Sequence, residues 1–439
     1  MKRSHALFCT FLLAFSLAIT GCRPTGQQNP TLPETGSPAD AVTTSVTNAE
    51  SAGYTADSTG QIIDEFPAES VSAFSHSKPD RPAADDSAQN GSPSANPSAA
   101  STAYQVSADI ISDGTSVVPP LPDRDPNSII DLTTAQYTYE KMTADLNWFA
   151  ASYPQYVSLE AAKTTADGRL IHVVYFGNRN AARQIFLCAA THGREYMTTQ
   201  LVMKQLEYYC ANYNTGSYNS IPYNRIFENT CFVLVPMVNP DGVTISQLGE
   251  AGLNRQDLRE NLHSIYSSDI NGGFTTLDYE TWLTRWKANG VGVDLNRNYS
   301  PGWTLINDRP VPSSSLYKGS SPGSEAEAAA LMSVIDSLSN PLLAVSYHSY
   351  GNLIYWQYGQ AEPLWTANSN LATHISNLTG YPTAGYSNEA GFSNWCVIER
   401  GIPSVTVETG GVPCPLPLDQ FSDLWARNQH LWAMLATVY

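Results

Sequence analysis

Basic residues are in short supply in this chain. Lysine and arginine number 23 against 40 aspartates and glutamates, a formal net charge of -17. Nucleic-acid binding needs a basic face, so this balance argues against such a partner. Cysteine is limited too. There are seven, and no two are spaced Cys-x-x-Cys, so a cysteine-based zinc site is disfavoured. Charge of either sign is thin at 14%, while apolar residues make up 42%. That contrast fits a globular core with an under-charged remainder. The 439 residues allow one large domain with extras, or two ordinary ones.

The N-terminus shows where the chain works. Lys2 and Arg3 precede residues 7–19, which are apolar apart from Thr10 and Ser16. This stretch is too short to span a bilayer and reads as an export signal over residues 1–22. Its ending, Ile19-Thr20-Gly21-Cys22, resembles a bacterial lipobox. Cys22 would then be the lipidated first residue of the mature protein. An ordinary cleaved signal with a chance cysteine is the alternative. Either way the mature chain is expected outside the cytoplasm, and the lipobox would anchor it to the bacterial cell membrane. Cys188, Cys210, Cys231, Cys396 and Cys414 remain, an odd number compatible with one disulfide. Cys188 and Cys231 sit in apolar runs and read as core.

Residues 23–125 are rich in Ser, Thr, Ala and Pro. Up to residue 120 they hold three basic residues against twelve acidic ones and show no sustained apolar period. Such a segment cannot bury enough surface to offset its chain entropy, so it reads as a disordered acidic tether. From residue 126 the pattern changes. Tyr139, Met142, Leu146 and Phe149 recur at helical spacing. Short apolar runs at 170–176, 184–190, 231–238, 342–347 and 403–407 read as strands. Helical patterns fall at 194–213, 324–338, 362–379 and 418–437, with Ser324 and Glu327 spaced as a capping box. Residues 244–292, Gly-rich and polar, read as a long surface excursion. Strands alternating with helices predict one α/β domain over 126–439, with a mixed, largely buried, twisted sheet flanked by helices.

"AATHGREYMTT" ends an apolar run with His192 and Glu195, three residues apart. Zinc accepts imidazole nitrogen and carboxylate oxygen, and a catalytic site keeps three protein ligands plus a water. Alone, the pair fits a chance surface pairing equally well. "LLAVSYHSYG" delivers His348 at the end of a second expected strand. Open α/β sheets form sites at the carboxyl ends of strands, so two histidines placed there favour a metal. His172 alternates within an expected strand, His263 lies in the polar stretch, and His374 and His430 lie in helical patterns without an acidic partner at ligand spacing, so all four read as structural or surface residues. In "GVGVDLNRNYS", Asp294, Asn296, Arg297 and Asn298 crowd behind small apolar residues. Arginine grips carboxylates bidentately, though a polar turn with an internal Asp–Arg pair is the plainer reading.

Five strings stand in order: HGRE at 192–195, NPDG at 239–242, GVDLNRN at 292–298, YHSYG at 347–351 and VTVETG at 405–410. Together they resemble the zinc carboxypeptidase family, the carboxypeptidase A-like metallopeptidases, over about residues 135–439. The resemblance implies one zinc per chain held by His192, Glu195 and His348, with Glu408 as the general base. It implies that Asn296 and Arg297 bind the carboxylate of the residue beyond the cut. Tyr386, 22 residues before Glu408, falls where the family has its mobile capping tyrosine, and Trp395 follows nine residues later. The arginine that polarises the scissile carbonyl is missing. Lys287 stands at its place, with Arg285 in reserve. A lysine supplies positive charge, but without the planar fork. "WKANGVGVDLN" itself resembles the bacterial branch of γ-D-glutamyl–diaminopimelate peptidases. Ser393, seven after Tyr386, implies a small polar side-chain pocket compatible with diaminopimelate.

The expected activity is therefore zinc-dependent hydrolysis of peptide bonds near a free carboxylate, with peptidoglycan peptides as the leading substrate. A general metallocarboxypeptidase for ordinary peptides is the alternative. A non-catalytic surface binding protein is disfavoured because ligands and base are all present. A deacylase of small acyl amino acids is disfavoured by NPDG and the complete DLNRN.

Overall fold

The structure, a computed structural model, describes residues 128–387 and 389–439. The expected signal with Cys22 and the tether lie outside the described residues. In chain order the strands are β1 (Val157–Thr164), β2 (Leu170–Gly177), β3 (Arg183–Ala189), β4 (Ser217–Tyr218), β5 (Ile221–Pro222), β6 (Thr230–Val235), β7 (Pro341–His348), β8 (Leu353–Tyr355) and β9 (Ser404–Glu408). β4 and β5 pair with each other, and the other seven form one sheet in the order β1-β2-β6-β3-β7-β9-β8. β6, β3, β7 and β9 run parallel, and the outer pairings are antiparallel. The predicted mixed sheet is present.

The helices are α1 (Tyr139–Ser152), α2 (Met197–Asn212), α3 (Tyr223–Glu228), α4 (Pro240–Leu248), α5 (Gln256–Asn271), α6 (Tyr279–Thr284), α7 (Ala326–Ser337), α8 (Leu364–Thr379), α9 (Phe392–Arg400), α10 (Phe421–Asn428) and α11 (Leu431–Val438). Strand side chains alternate between faces, and here both faces are covered. In β3, Ile185 and Leu187 pack with α1, α2, α3, α8, α10 and α11, while Phe186 and Cys188 pack with α7 and α9. That double burial explains why the central strands read as unbroken apolar runs. Each fully buried Leu, Ile or Phe contributes about 1.5–3 kcal/mol.

Several expectations are corrected. Residues 244–292 are not a surface excursion. Leu258, Leu262 and Ile265 stripe one face of α5 and pack on Trp282, Leu283 and Trp286, making a third apolar cluster with Ile245 and Ala288. The surrounding charges hid that stripe. The predicted helix at 418–437 is split into α10 and α11. The Tyr209 hydroxyl donates to the Gln429 carbonyl (2.9 Å) and accepts from Ala433 N (3.2 Å), standing where the helical hydrogen bond would run. The capping box does not form. Ser324 donates instead to Glu325 Oε1 (2.7 Å) and accepts from Asn298 Nδ2 (3.0 Å), and Glu327 turns into the interior. All five described cysteines are free and buried, so none forms the disulfide their number allowed.

Candidate metal centre and catalytic cleft

Three parallel strands end at the cleft. β3 stops at Ala189, and Ala190 turns the chain through a left-handed conformation (φ 49°). A single 3-10 turn over Gly193–Glu195 then carries the carboxylate back alongside His192. Helix α2 begins only afterwards, three residues later than the sequence pattern implied. His348 is the last residue of β7 and Glu408 the last of β9, and the two are register partners. β3 lies between β6 and β7, so chain order reverses there, the usual location for a crevice in such sheets.

His192, Glu195 and His348 converge. His192 Nδ1 stands 2.8 Å from Glu195 Oε1 and 3.2 Å from His348 Nδ1, which is 3.0 Å from Glu195 Oε2. All three are buried, and among the described residues they form the one grouping of such side chains able to hold a metal ion. Asp294 fixes the first ring: its Oδ1 accepts from His192 Nε2 at 3.1 Å. In the neutral ring that arrangement leaves Nδ1 as a lone pair facing the Glu195 carboxylate. Ser349 N donates to Glu195 Oε2 (3.2 Å). Two imidazole lone pairs and a carboxylate crowded this closely repel one another unless a cation or proton sits among them. Ligands on a tetrahedral zinc, with bonds of about 2.0–2.2 Å, lie about 3.3 Å apart, close to the spacings seen. The donor set therefore fits zinc.

The electrostatics agree. Burial would raise the Glu195 carboxyl, but His192 and His348 outweigh it and hold it well below the usual range. Burial would likewise raise Asp294, but Lys287 and His192 keep it ionised. For Glu408 burial prevails. His348 opposes the rise, Glu195 adds to it, and the result is about 8. A cation bound at the triad would act against that rise.

One cleft is lined by His192, Glu195, Lys287, Asn296, Ser393 and Glu408 together with Arg194, Tyr358, Glu389 and Thr406. Lys287 lies 4.0 Å from Asp294 through its Nζ, while Arg285 is not among the lining residues and donates to the Cys414 carbonyl (2.6 Å). Ser393 is buried, with its hydroxyl 3.0 Å from that of Thr406. Arg297 is not among the lining residues. Its guanidinium pairs with Asp308 (3.2 Å) and lies 3.9 Å from Asp294. Tyr386 is 61% exposed and outside the lining, although its neighbour Ser387 belongs to it. Trp395 is buried in the α9 cluster. Sequence reasoning missed the work of Asp294, whose signal was its place directly ahead of Leu295-Asn296-Arg297. It also missed Glu389, which carried no signal.

Glycine brings three of the motifs into contact. A Cβ on Gly193 would collide with the Gly242 carbonyl, and one on Gly242 with the Ala288 carbonyl. Gly193 N also donates to the Lys287 carbonyl (3.2 Å). Asn239 Nδ2 ties the stack by donating to the carbonyls of Thr191 (3.1 Å) and Ala288 (2.9 Å).

A buried His–Glu–His triad with a second carboxylate, Glu408, beside it, in a three-layer α/β fold, defines a zinc-dependent peptidase. Residues 142–407 match the zinc carboxypeptidase family, and the chain belongs to that family, which works with one zinc. γ-D-glutamyl-L-diamino acid endopeptidase 1 of Lysinibacillus sphaericus is 27% identical over 307 residues, 69% of this chain and 72% of that protein. Carboxypeptidase B of Astacus astacus is 24% identical, over 65% of this chain and 91% of that enzyme. A crystal structure of thrombin activatable fibrinolysis inhibitor matches with a TM-score of 0.54 at 16% identity, covering 68% of this chain and 73% of the other; that likeness is one of fold.

Proposed function

We propose that this enzyme cleaves the amide bond between a γ-D-glutamyl residue and diaminopimelate in cell-wall peptides. The chemistry rests on one observation: Glu408 stands in register beside His348, in the cleft that holds the triad. The substrate rests on the likeness to the Lysinibacillus endopeptidase and on the small hydroxyl-lined pocket around Ser393 and Thr406.

Zinc held by His192, Glu195 and His348 would act as a Lewis acid and bring the pKa of water to about 7. Glu408 takes the proton of the attacking water on its carboxylate and returns it to the departing amine nitrogen. Lys287 presents its ammonium to the carbonyl oxygen as negative charge develops there. Asp294 holds the His192 ring in one tautomer. Asn296 donates to a carboxylate of the departing residue. Arg297 joins it only by exchanging Asp308 for the substrate. Ser393 faces the side chain beyond the cut.

The match to carboxypeptidase B over 91% of its length favours a second reading, removal of C-terminal residues from ordinary peptides. One assay separates the two. Zinc-loaded enzyme is given defined muropeptides and ordinary peptides at matched concentration, and products are read by mass spectrometry. Release of diaminopimelate-containing fragments should be faster. Faster loss of an ordinary C-terminal residue overturns the reading. We also propose export through residues 1–22 and lipid anchoring at Cys22, supported by the signal pattern alone. Cys22→Ser should move the protein out of the membrane fraction, and continued membrane association would count against the anchor.

A further inference from the structure

Glu389 is a cleft-lining carboxylate that the reaction above does not use. Its Oε2 accepts from Asn296 Nδ2 at 3.4 Å. Among the described residues no lysine, arginine or histidine nitrogen lies within ion-pairing distance of it. The other carboxylates here are accounted for: Glu195 by two histidines, Asp294 by His192 and Lys287, and Glu408 by its part in the reaction beside His348.

Its position is built rather than incidental. Asn296 N donates to Asp294 Oδ1 (3.2 Å), the same oxygen that holds His192. A short relay therefore runs from the metal triad through Asp294 and Asn296 to Glu389. On the other side, Tyr299 N fixes the Ala390 carbonyl (3.0 Å), and Phe392 N donates to Asn296 Oδ1 (3.3 Å). A Cβ on Gly391 would collide with the Asn296 side chain, so the backbone there lies directly against it. Glu389 is thus held beside the group assigned to the departing residue.

We propose that Glu389 selects for an ammonium on the side chain of the residue that leaves. The inference rests on the proposed function for its substrate class and sharpens it: the departing residue is a diamino acid recognised through its second amino group. The neutral hydroxyls of Ser393, Thr406 and Tyr358 give shape and hydrogen bonds, and Glu389 gives the charge. A substrate without that amino group leaves the carboxylate desolvated and unpaired, which disfavours it.

The test compares lysine with norleucine, its uncharged counterpart. kcat/KM is measured for γ-D-glutamyl-L-lysine and γ-D-glutamyl-L-norleucine, and for acyl-L-alanyl-L-lysine and acyl-L-alanyl-L-norleucine, with wild type and Glu389→Gln. Glutamine still accepts from Asn296, so the loop keeps its anchor. Wild type should prefer lysine by about 10- to 100-fold, the range for a hydrogen bond to a charged group. Glu389→Gln should erase most of that ratio by lowering the lysine rate alone. An equal fall for both side chains, or an unchanged ratio, overturns the proposal. Faster cleavage of the alanyl pair overturns the γ-glutamyl reading instead, and the lysine-to-norleucine ratio in that series still decides Glu389.

Discussion

The two sides of the cleft are made differently. His192, Glu195 and His348 are each at most 3% exposed, sit at or just beyond strand ends, and are held by backbone or buried carboxylate contacts. Asn296, Glu389 and Tyr386 lie on turns and loops, and Tyr386 is largely exposed. A metal ligand tolerates little displacement, so it is placed where packing leaves a single geometry. A group that recognises a side chain needs only to reach it, and a loop suffices. The metal ligands and the general base therefore belong to the strand ends, and the groups that recognise substrate lie largely outside the sheet.

Glu408→Gln should strike the sheet side hardest. Zinc should stay bound while kcat falls by about 100- to 10,000-fold. Metal analysis beside kinetics checks this, and zinc loss would place Glu408 among the ligands. Lys287→Ala should lower kcat by about 100- to 1,000-fold with KM little changed, the range for losing one oxyanion-stabilising donor. Arg285→Ala, whose guanidinium is spent on the Cys414 carbonyl, should lose far less; equal losses would erase the distinction between the two cations.

A third variant affects stability without touching the cleft. Glu327 is fully buried on α7, where burial and then Asp241 push it from its ordinary 4.5 to about 8. Its Oε1 has no hydrogen-bond partner among the described residues. Because the folded pKa lies above the unfolded one, the native state holds an extra proton between about pH 4.5 and 8. Stability should fall as pH rises through that window. Glu327→Gln should flatten the fall and gain on the order of 2 kcal/mol at pH 8, with kcat unchanged. Thermal melts at several pH values check it, and a parallel fall in the variant would clear Glu327. Tyr386→Phe should be mildest, about 2- to 10-fold in kcat/KM, the value of one neutral hydrogen bond. A thousandfold loss would place its hydroxyl in the chemistry and break the contrast between the two sides.

The same contrast governs what could be read without coordinates. His192, His348 and Glu408 announced themselves because each closes a short apolar run, and such runs are strands buried on both faces. The sheet followed from that pattern. The helix pair α5–α6 did not, because Leu258, Leu262 and Ile265 are diluted by charges and pack on tryptophans about twenty residues further along the chain. Glu389 is an isolated acid in a polar stretch, and its meaning comes from Asn296, 93 residues earlier. Arg297 looked free to grip substrate, and its pairing with Asp308 is another loop contact that local sequence does not encode. Contacts made by periodic elements leave a trace in spacing; contacts between loops leave almost none.

The glycine stack has a consequence for how this centre tolerates change. Thr191–Gly193, Asn239–Gly242 and Lys287–Ala288 touch backbone to backbone, and the side chain among them, Asn239, is itself pinned to the Thr191 and Ala288 carbonyls and cannot absorb an error. A methyl group added at Gly242 would therefore shift its neighbours as a body and carry the His192 ring and the Lys287 ammonium with it. Three signatures that look separate along the chain are one mechanical part. Glu389 could be substituted alone to redirect the enzyme, whereas HGRE, NPDG and the lysine segment would have to be transplanted together.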